Sequence, residues 1–452
     1  MAEKNPNIIL VMADDQGWGD TGYNNHPFVQ TPHMDAMAKS GVVFDRFYAG
    51  APVCSPTRAS VMTGRMPVRT NVPNHGHYMR PQEVTLAEAL KANGYRTAHF
   101  GKWHIGSVQK ESPTSPGGCG FDEWLTGLNF FDNDPYLSHN GTFKQLKGQG
   151  SVVAMDAALK FIRQHAKEDK PLFTVIWFPA PHLPHKEISS QAKLYADKKH
   201  KGYFQEITLI DEQLGRLRKE LRDLEIDQNT ILWYCSDNGG LVLKSSGGRG
   251  KKGSIYEGGL RVPSIVEWPA KWKPSRVSVP ASTSDIYPTL LRSTKTRVSN
   301  QPQLDGIDLT NIIGGKVNRR SNTIGFWHNY TSGQVTHSDR IIKELMVAQQ
   351  AGEKTPYPER LLKNVKQFPA AKELKNKPMQ GHAALIDWPY KIHAIAVPKK
   401  KNIRYELYHL ANDPMETKDL SKSEKVVFAK LKRAMGIWQK SVLDSLQGKD
   451  YK

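Results

Sequence analysis

Cysteine is scarce, long apolar runs are missing, and acidic residues are outnumbered. The 452 residues include three cysteines, Cys54, Cys119 and Cys235, so disulfides do not build this fold. If Cys54 is modified, one pair remains: Cys235 ends an apolar run and reads as a buried thiol, Cys119 lies in a glycine-rich loop, and a bridge between them is not the expectation. No apolar stretch reaches the roughly eighteen residues of a membrane-spanning helix, so no membrane span is expected. After Met1-Ala2-Glu3-Lys4-Asn5-Pro6 the chain enters its first apparent strand with no apolar leader. Asp and Glu number 44 against 63 Lys and Arg, a net charge of +19. That field attracts polyanions. No nucleic-acid-binding motif accompanies it, so nucleic acid is not the expected partner.

The length suits one large domain and a smaller one. In the first half, short apolar runs alternate with amphipathic segments, which predicts an α/β fold with a largely parallel sheet flanked by helices. Strands are expected at residues 7–12, 42–47, 172–178, 230–235 and 262–267, and helices at 32–40, 85–93 and 204–224. A boundary is expected near residues 311–320, giving domains 1–320 and 321–452. The second domain should hold a small sheet from residues 324–328, 383–395 and 405–410, and a helix from about 421 to 446. A Lys-rich insertion at 337–379 reads equally as a substrate lid or a decorated loop.

Polar residues cluster after the predicted strands: Asp14-Asp15, Lys102 and His104, His182, and Asp237-Asn238. Ligand sites of open α/β sheets lie beyond the carboxyl ends of the strands, so these segments predict one shared site. Cys54 sits in Ala51-Pro52-Val53-Cys54-Ser55-Pro56-Thr57-Arg58. Ser55-Pro56 reads as an N-cap with proline at the first helical position, which puts Cys54 at the positive end of a helix dipole with Arg58 one turn on. Asp14, Asp15, Asp237 and Asn238 offer only oxygen, a donor set for calcium, or less well magnesium, rather than zinc.

The Cys54–Gly64 stretch resembles the signature of the type I sulfatases, and Gly94-Tyr95-Arg96-Thr97-Ala98-His99-Phe100-Gly101-Lys102-Trp103-His104 is similar to a second signature of that family. The resemblance runs from Asn7 to about Pro263 and resumes near Tyr405. It implies an alkaline-phosphatase-like fold with a small C-terminal α+β subdomain carrying an antiparallel sheet. It also implies that a formylglycine-generating enzyme oxidises Cys54 to formylglycine, whose hydrate attacks the sulfur of a sulfate ester. Asp14, Asp15, Asp237, Asn238 and the modified Cys54 would hold one calcium ion. Arg58 would stabilise the hydrate, Lys102 and His104 would contact sulfate, and His104 would assist its release. His182 and Lys252 would neutralise the leaving alkoxide; Lys252 is preferred over Lys251 by its spacing from Glu257.

Arg65–Arg69, Pro81-Gln82-Glu83 and Gly120–Trp124 look most like the N-acetylgalactosamine-6-sulfatase and polysaccharide sulfatase group, which implies a sulfated glycan as substrate. His75, His77, Tyr78, Arg80 and His185 are candidate sugar contacts. The family setting favours a periplasmic or secreted protein whose export signal is absent from this sequence, with a cytoplasmic one as the alternative. Two other functions stay open: a phosphodiester or phosphonate monoester hydrolase of the same superfamily, and a non-catalytic polyanion-binding protein. The sequence leaves the oligomeric state and the choice between exo and endo action open.

Overall fold

The first strand, β1 (Asn7–Ala13), is apolar at nearly every position because both of its faces are covered. Ile8, Leu10 and Met12 enter one core, while Ile9, Val11 and Ala13 enter another on the opposite face. The computed structural model describes residues 4–186, 188–191, 193–328, 331–361, 380–397 and 402–451.

β1 lies inside a ten-stranded sheet. In spatial order the strands are β12 (Ser275–Val277), β2 (Val42–Phe44), β11 (Ser264–Glu267), β9 (Thr230–Ser236), β1, β8 (Leu172–Trp177), β4 (Arg96–Lys102), β5 (Glu123–Gly127), β6 (Tyr136–His139) and β7 (Thr142–Gln145). The central pairings β9–β1, β1–β8, β8–β4 and β4–β5 are parallel, whereas β11 runs antiparallel to both neighbours. β1, β4, β8 and β9 therefore all end at one edge, where the predicted polar segments begin.

Helix α1 (Pro32–Ser40) and the long helices α4 (Gly150–His165) and α5 (Lys201–Asp223) cover the Ile9–Val11 face. Met155, Leu159 and Ile162 of α4 pack there with Ile210, Leu214 and Leu217 of α5. Each such burial is worth about 1.5–3 kcal/mol. The other face is covered by α2 (Cys54–Thr63) and α3 (Leu86–Ala92). Thr85 caps α3 by accepting from Glu88 N at 3.1 Å, and Glu88 returns the bond to Thr85 N at 2.8 Å.

Three expected strands divide. Residues 42–47 form β2 and then β3 (Phe47–Tyr48), and residues 262–267 resolve into β10 (Arg261–Val262) and β11, broken at Pro263, which has no N–H to donate. β3 and β10 pair with each other and with β13 (Ala281–Ser282) in a separate three-stranded sheet. Residues 383–395 are a hairpin of β15 (His382–Asp387) and β16 (Tyr390–Val397), flanked by β14 (Ile324–His328) and β17 (Asn402–His409) in a four-stranded antiparallel sheet.

That small sheet is covered on both sides. Leu385, Ile392 and Leu407 meet Leu431 and Met435 of the C-terminal helix Lys425–Leu446, which starts four residues later than expected. Phe326, Ala384 and Ile386 meet Tyr48, Ile255 and Leu260 of the larger body. A buried polar chain crosses the same seam. Lys391 Nζ donates to Glu257 Oε1 at 3.0 Å and lies 3.1 Å from Glu416 Oε1. Tyr48 also donates to Glu257, at 2.9 Å. Within the Lys-rich insertion, helix Ser338–Gln350 packs Ile341, Ile342 and Leu345 into the large core; residues 362–379 of that insertion lie outside the described residues. All three cysteines are buried, unbridged thiols.

Candidate active site

Four loops at the carboxyl edge of the sheet converge on one buried cluster. β1 delivers Asp14 and Asp15, both buried; Asp14 N is fixed by Ala180 O at 2.9 Å, and Asp15 adopts a left-handed φ of 78°. β9 delivers Asp237 and Asn238, also buried. Asp15 N donates to Asp237 Oδ1 at 3.1 Å and Asn238 Nδ2 donates to Asp15 Oδ1 at 2.8 Å, so the two strand ends are tied directly.

Cys54 is the first residue of α2, capped by the extended residue Val53. This corrects the expected start: Ser55 is not the N-cap, and its hydroxyl instead accepts Gly76 N at 2.9 Å. Pro56 then falls third in the helix, still among the positions whose N–H has no partner within the helix. The Cys54 sulfur and carboxylate oxygens of Asp14 and Asp237 lie within 4.8 Å of one another. Burial pushes the Cys54 thiol pKa upward, against the pull of Lys102 and Lys252.

Three cations face these three carboxylates. Arg58 Nη2 donates to Asp237 Oδ2 at 2.8 Å and sits 3.6 Å from Asp14 Oδ2, its Nη1 donates to Lys102 O at 3.0 Å, and its guanidinium lies 5.1 Å from the Trp177 ring. Lys102 Nζ reaches Asp14 Oδ2 at 2.6 Å. Lys252 Nζ reaches Asp15 Oδ2 at 2.7 Å, whereas Lys251 is exposed. Burial raises the Asp14 pKa, but Lys102, His182, Arg58 and Lys252 together hold it well below the usual carboxylate range. Burial and then the Asp14 charge raise Asp237.

Two histidines complete the cluster. His104 is buried with a φ of 60°, and among the described residues neither ring nitrogen has a hydrogen-bond partner. Burial, and then the charges of Lys102 and Arg58, keep it neutral. His182 stands at the rim, its ring stacked 4.4 Å from Phe130 and its Nε2 3.9 Å from Asp15 Oδ2. Burial lowers its pKa while Asp14 and Asp15 push the other way.

The donor chemistry fits a hard divalent cation. Asp14 Oδ1 and Asn238 Oδ1 are buried acceptors that no donor among the described residues satisfies, and such atoms are costly unless a ligand completes them. Asp14, Asp15 and His182 form a second group with donor atoms within 4.8 Å of one another.

The expected sugar contacts divide. His75 lies close enough to Lys252 and Lys102 for their charges to lower its pKa after burial does so. The same loop is strapped by a distant segment: Asn74 Nδ2 donates to Thr331 O at 2.9 Å, Gln334 N to His75 O at 2.8 Å, and His77 Nε2 lies 2.8 Å from Ser332 O. Arg80 turns away from the cluster, donating to Leu446 O with its guanidinium 5.6 Å from the Tyr451 ring. Tyr78 binds Arg360 through its hydroxyl. His185 Nε2 lies 2.9 Å from Pro181 O, with its ring against Tyr203. Sequence reasoning missed the Thr331–Thr336 strap, Phe130 and Trp177. The strap bonds largely through its backbone carbonyls, which no residue pattern announces, and the two rings are found only by their packing.

The Sulfatase family model matches residues 6–296. An ulvan-active sulfatase of Formosa agariphila is 29% identical over 333 residues, covering 68% of this chain and 65% of its own length. An N-acetylgalactosamine-6-sulfatase of Rattus norvegicus is 33% identical over 357 residues, covering 68% of this chain and 66% of its own. The chain thus matches just under two thirds of these relatives. The crystal structure of Ps i-CgsB superposes with a TM-score of 0.79 at 25% identity, over 98% of this chain and 94% of that one.

Proposed function

The chain belongs to the sulfatase family, and from that premise we propose that it hydrolyses sulfate esters of a sulfated carbohydrate, using a formylglycine made from Cys54 and a bound calcium ion. The observation that carries this reading is the meeting of Cys54, at the start of α2, with the Asp14, Asp15, Asp237 and Asn238 oxygens and the Arg58, Lys102 and Lys252 cations. As formal charges the three carboxylates and three cations cancel. A dication held by Asp14, Asp15, Asp237, Asn238 and residue 54 would leave the site positive, as a sulfate ester anion requires, and would polarise the sulfuryl oxygen. When residue 54 is converted, its hydrated aldehyde supplies the attacking oxygen.

The remaining roles fall to the chain's own side chains. Arg58 orients residue 54 from one turn deeper in α2 and holds Asp237 beside it. Asp237, its carboxylate raised toward neutrality by burial, takes up the proton of the attacking hydroxyl. Lys102 and Lys252 hold the sulfuryl oxygens. His182, at the rim, is the group placed to give a proton to the leaving alkoxide; burial lowers its pKa, and Asp14 and Asp15 oppose that shift. His104 has both nitrogens unengaged and is neutral, so it can accept a proton as sulfate is released. The carbohydrate class of substrate is supported by the relatives, an ulvan-active sulfatase and an N-acetylgalactosamine-6-sulfatase.

Peptide mass spectrometry across residues 51–64 of active protein tests this reading. We expect a mass corresponding to formylglycine at position 54. Full para-nitrophenyl sulfate turnover with an intact Cys54 thiol would end it.

A further inference from the structure

One large cavity among the described residues lies away from Cys54. It is a cleft of about 1260 Å³ along the outer edge of the ten-stranded sheet, between β12 and residues 312–322, closed at one end by the β15–β16 turn. That exceeds the about 300–1,000 Å³ that holds a drug-sized molecule, so a chain of several sugar units has room. Six cations line it: Arg46, Lys271, Lys273, Arg276, Arg319 and Arg320. Among the described residues its one acidic lining residue, Asp387, is engaged by Lys430 at 2.8 Å.

The cations are not equivalent. Arg276 is paired with Asp45 at 2.7 Å and Arg320 with buried Asp285 at 2.6 Å, so these two shape the walls. Among the described residues, no carboxylate pairs with Arg46, Lys273 or Arg319. Arg46 is held in place by Ser278 O at 2.8 Å and by the Trp388 ring, 4.1 Å from its guanidinium. Trp388 and Trp272 are half-buried in the walls, with Trp272 braced edge-on by Trp268 at 5.3 Å. Fixed indoles beside unpaired cations match a ligand that alternates apolar ring faces with anionic groups. A sulfated polysaccharide has that pattern. Duplex DNA, with its bases stacked inside, offers the charge without accessible ring faces.

β12 lies four strands from β1 in the sheet order, about 19 Å at ~4.8 Å per strand. We propose that this cleft is a second, non-catalytic site that holds the sulfated polysaccharide while another ester of the same chain occupies the Cys54 site; the proposal rests on the sulfatase reading above. Tethering of this kind raises the local concentration of substrate esters without any new contact at the reacting bond.

The test uses the full chain with Cys54→Ala, which removes turnover, and adds Lys273→Glu with Arg319→Glu, two exposed positions outside the core. Affinity for dextran sulfate is measured against salt, with unsulfated dextran and a duplex DNA as controls. We expect the double reversal to weaken dextran sulfate binding at least ~10-fold at low salt and to flatten the salt dependence. Para-nitrophenyl sulfate turnover by the same double variant carrying Cys54 should equal wild type. Unchanged dextran sulfate affinity, or DNA bound as tightly as dextran sulfate, would overturn the proposal. If the wild-type protein turns over no sulfate ester, the catalytic reading fails, and the binding comparison still decides the cleft.

Discussion

Arg58 Nη2 lies 2.8 Å from Asp237 Oδ2, and both side chains are wholly buried. This pair joins the helix that carries Cys54 to the end of β9, so the spacing between residue 54 and the acidic cluster depends on it. Replacing Arg58 with Ala would leave Asp237 and Asp14 without this buried counter-charge, at a cost of about 3–5 kcal/mol. We expect a lower unfolding temperature and loss of turnover. Arg58→Lys should recover part of the stability and little activity, because one ammonium cannot span Asp237, Asp14 and Lys102 O as the guanidinium does. Thermal unfolding and aryl sulfate kinetics on the two variants would check this.

Removing divalent cations should abolish turnover, and calcium should restore it. A readout independent of activity is thermal stability: calcium at about 100 times its Kd should add about 2.7 kcal/mol to the folded state. Asp14→Asn with Asn238→Ala should erase that calcium-dependent increment, since these residues own the two unsatisfied buried oxygens. An unchanged increment in that variant would remove them from the cation site.

Acid should destabilise the protein through buried neutral histidines. His99 is walled by Trp103, Trp177 and Phe121 at 5.0–5.5 Å, and burial holds its pKa well below the usual value. His382 is pushed down to about 2 by burial and by His393, with the same sign. In the unfolded chain these rings titrate near pH 6.5. Their contribution is therefore complete above about pH 6.5 and is lost as the pH falls below it, because the unfolded state then binds the extra protons. Stability should fall more steeply from pH 6.5 to 5 in the wild type than in His99→Met, by up to about 1.4 kcal/mol per pH unit. Equal slopes in the two proteins would contradict the assignment.

Lys391 is buried in β16 between Glu257 and Glu416. Lys391→Ala leaves two carboxyl groups facing each other in the seam and should cost about 3–5 kcal/mol. Glu257 lies five residues beyond Lys252, so the kinetic effect should appear at the site as well. We expect weakened sulfate binding, seen as a raised inhibition constant for inorganic sulfate, under conditions where the variant remains folded.

Some of this was legible in the residues alone. The continuous apolar run of β1 announces a strand buried on both faces, and the polar residues that follow β1, β4, β8 and β9 mark one sheet edge as the site. Local chemistry sufficed for Cys54 and Arg58, because a spacing of four residues places them on one face of a helix whatever surrounds it. Sequence could not separate β2 from β3 or divide residues 383–395 into a hairpin, since short apolar runs carry no sign of which sheet they join. It also misplaced the start of α2: Val53 is the cap, and the Ser55 hydroxyl is taken by Gly76 N, a partner that only the fold supplies.

The sequence by itself carried the α/β pattern, the signature motifs that resemble the family and the residue types of the candidate site, since motif order, periodicity and spacing are properties of the chain. Only the tertiary structure decided which charges meet: Arg58 with Asp237, Lys102 with Asp14, Lys252 with Asp15, and the basic cleft between β12 and Trp388. Each pairing joins residues tens to hundreds of positions apart, and Coulomb energy depends on separation in space, which the order of residues does not contain.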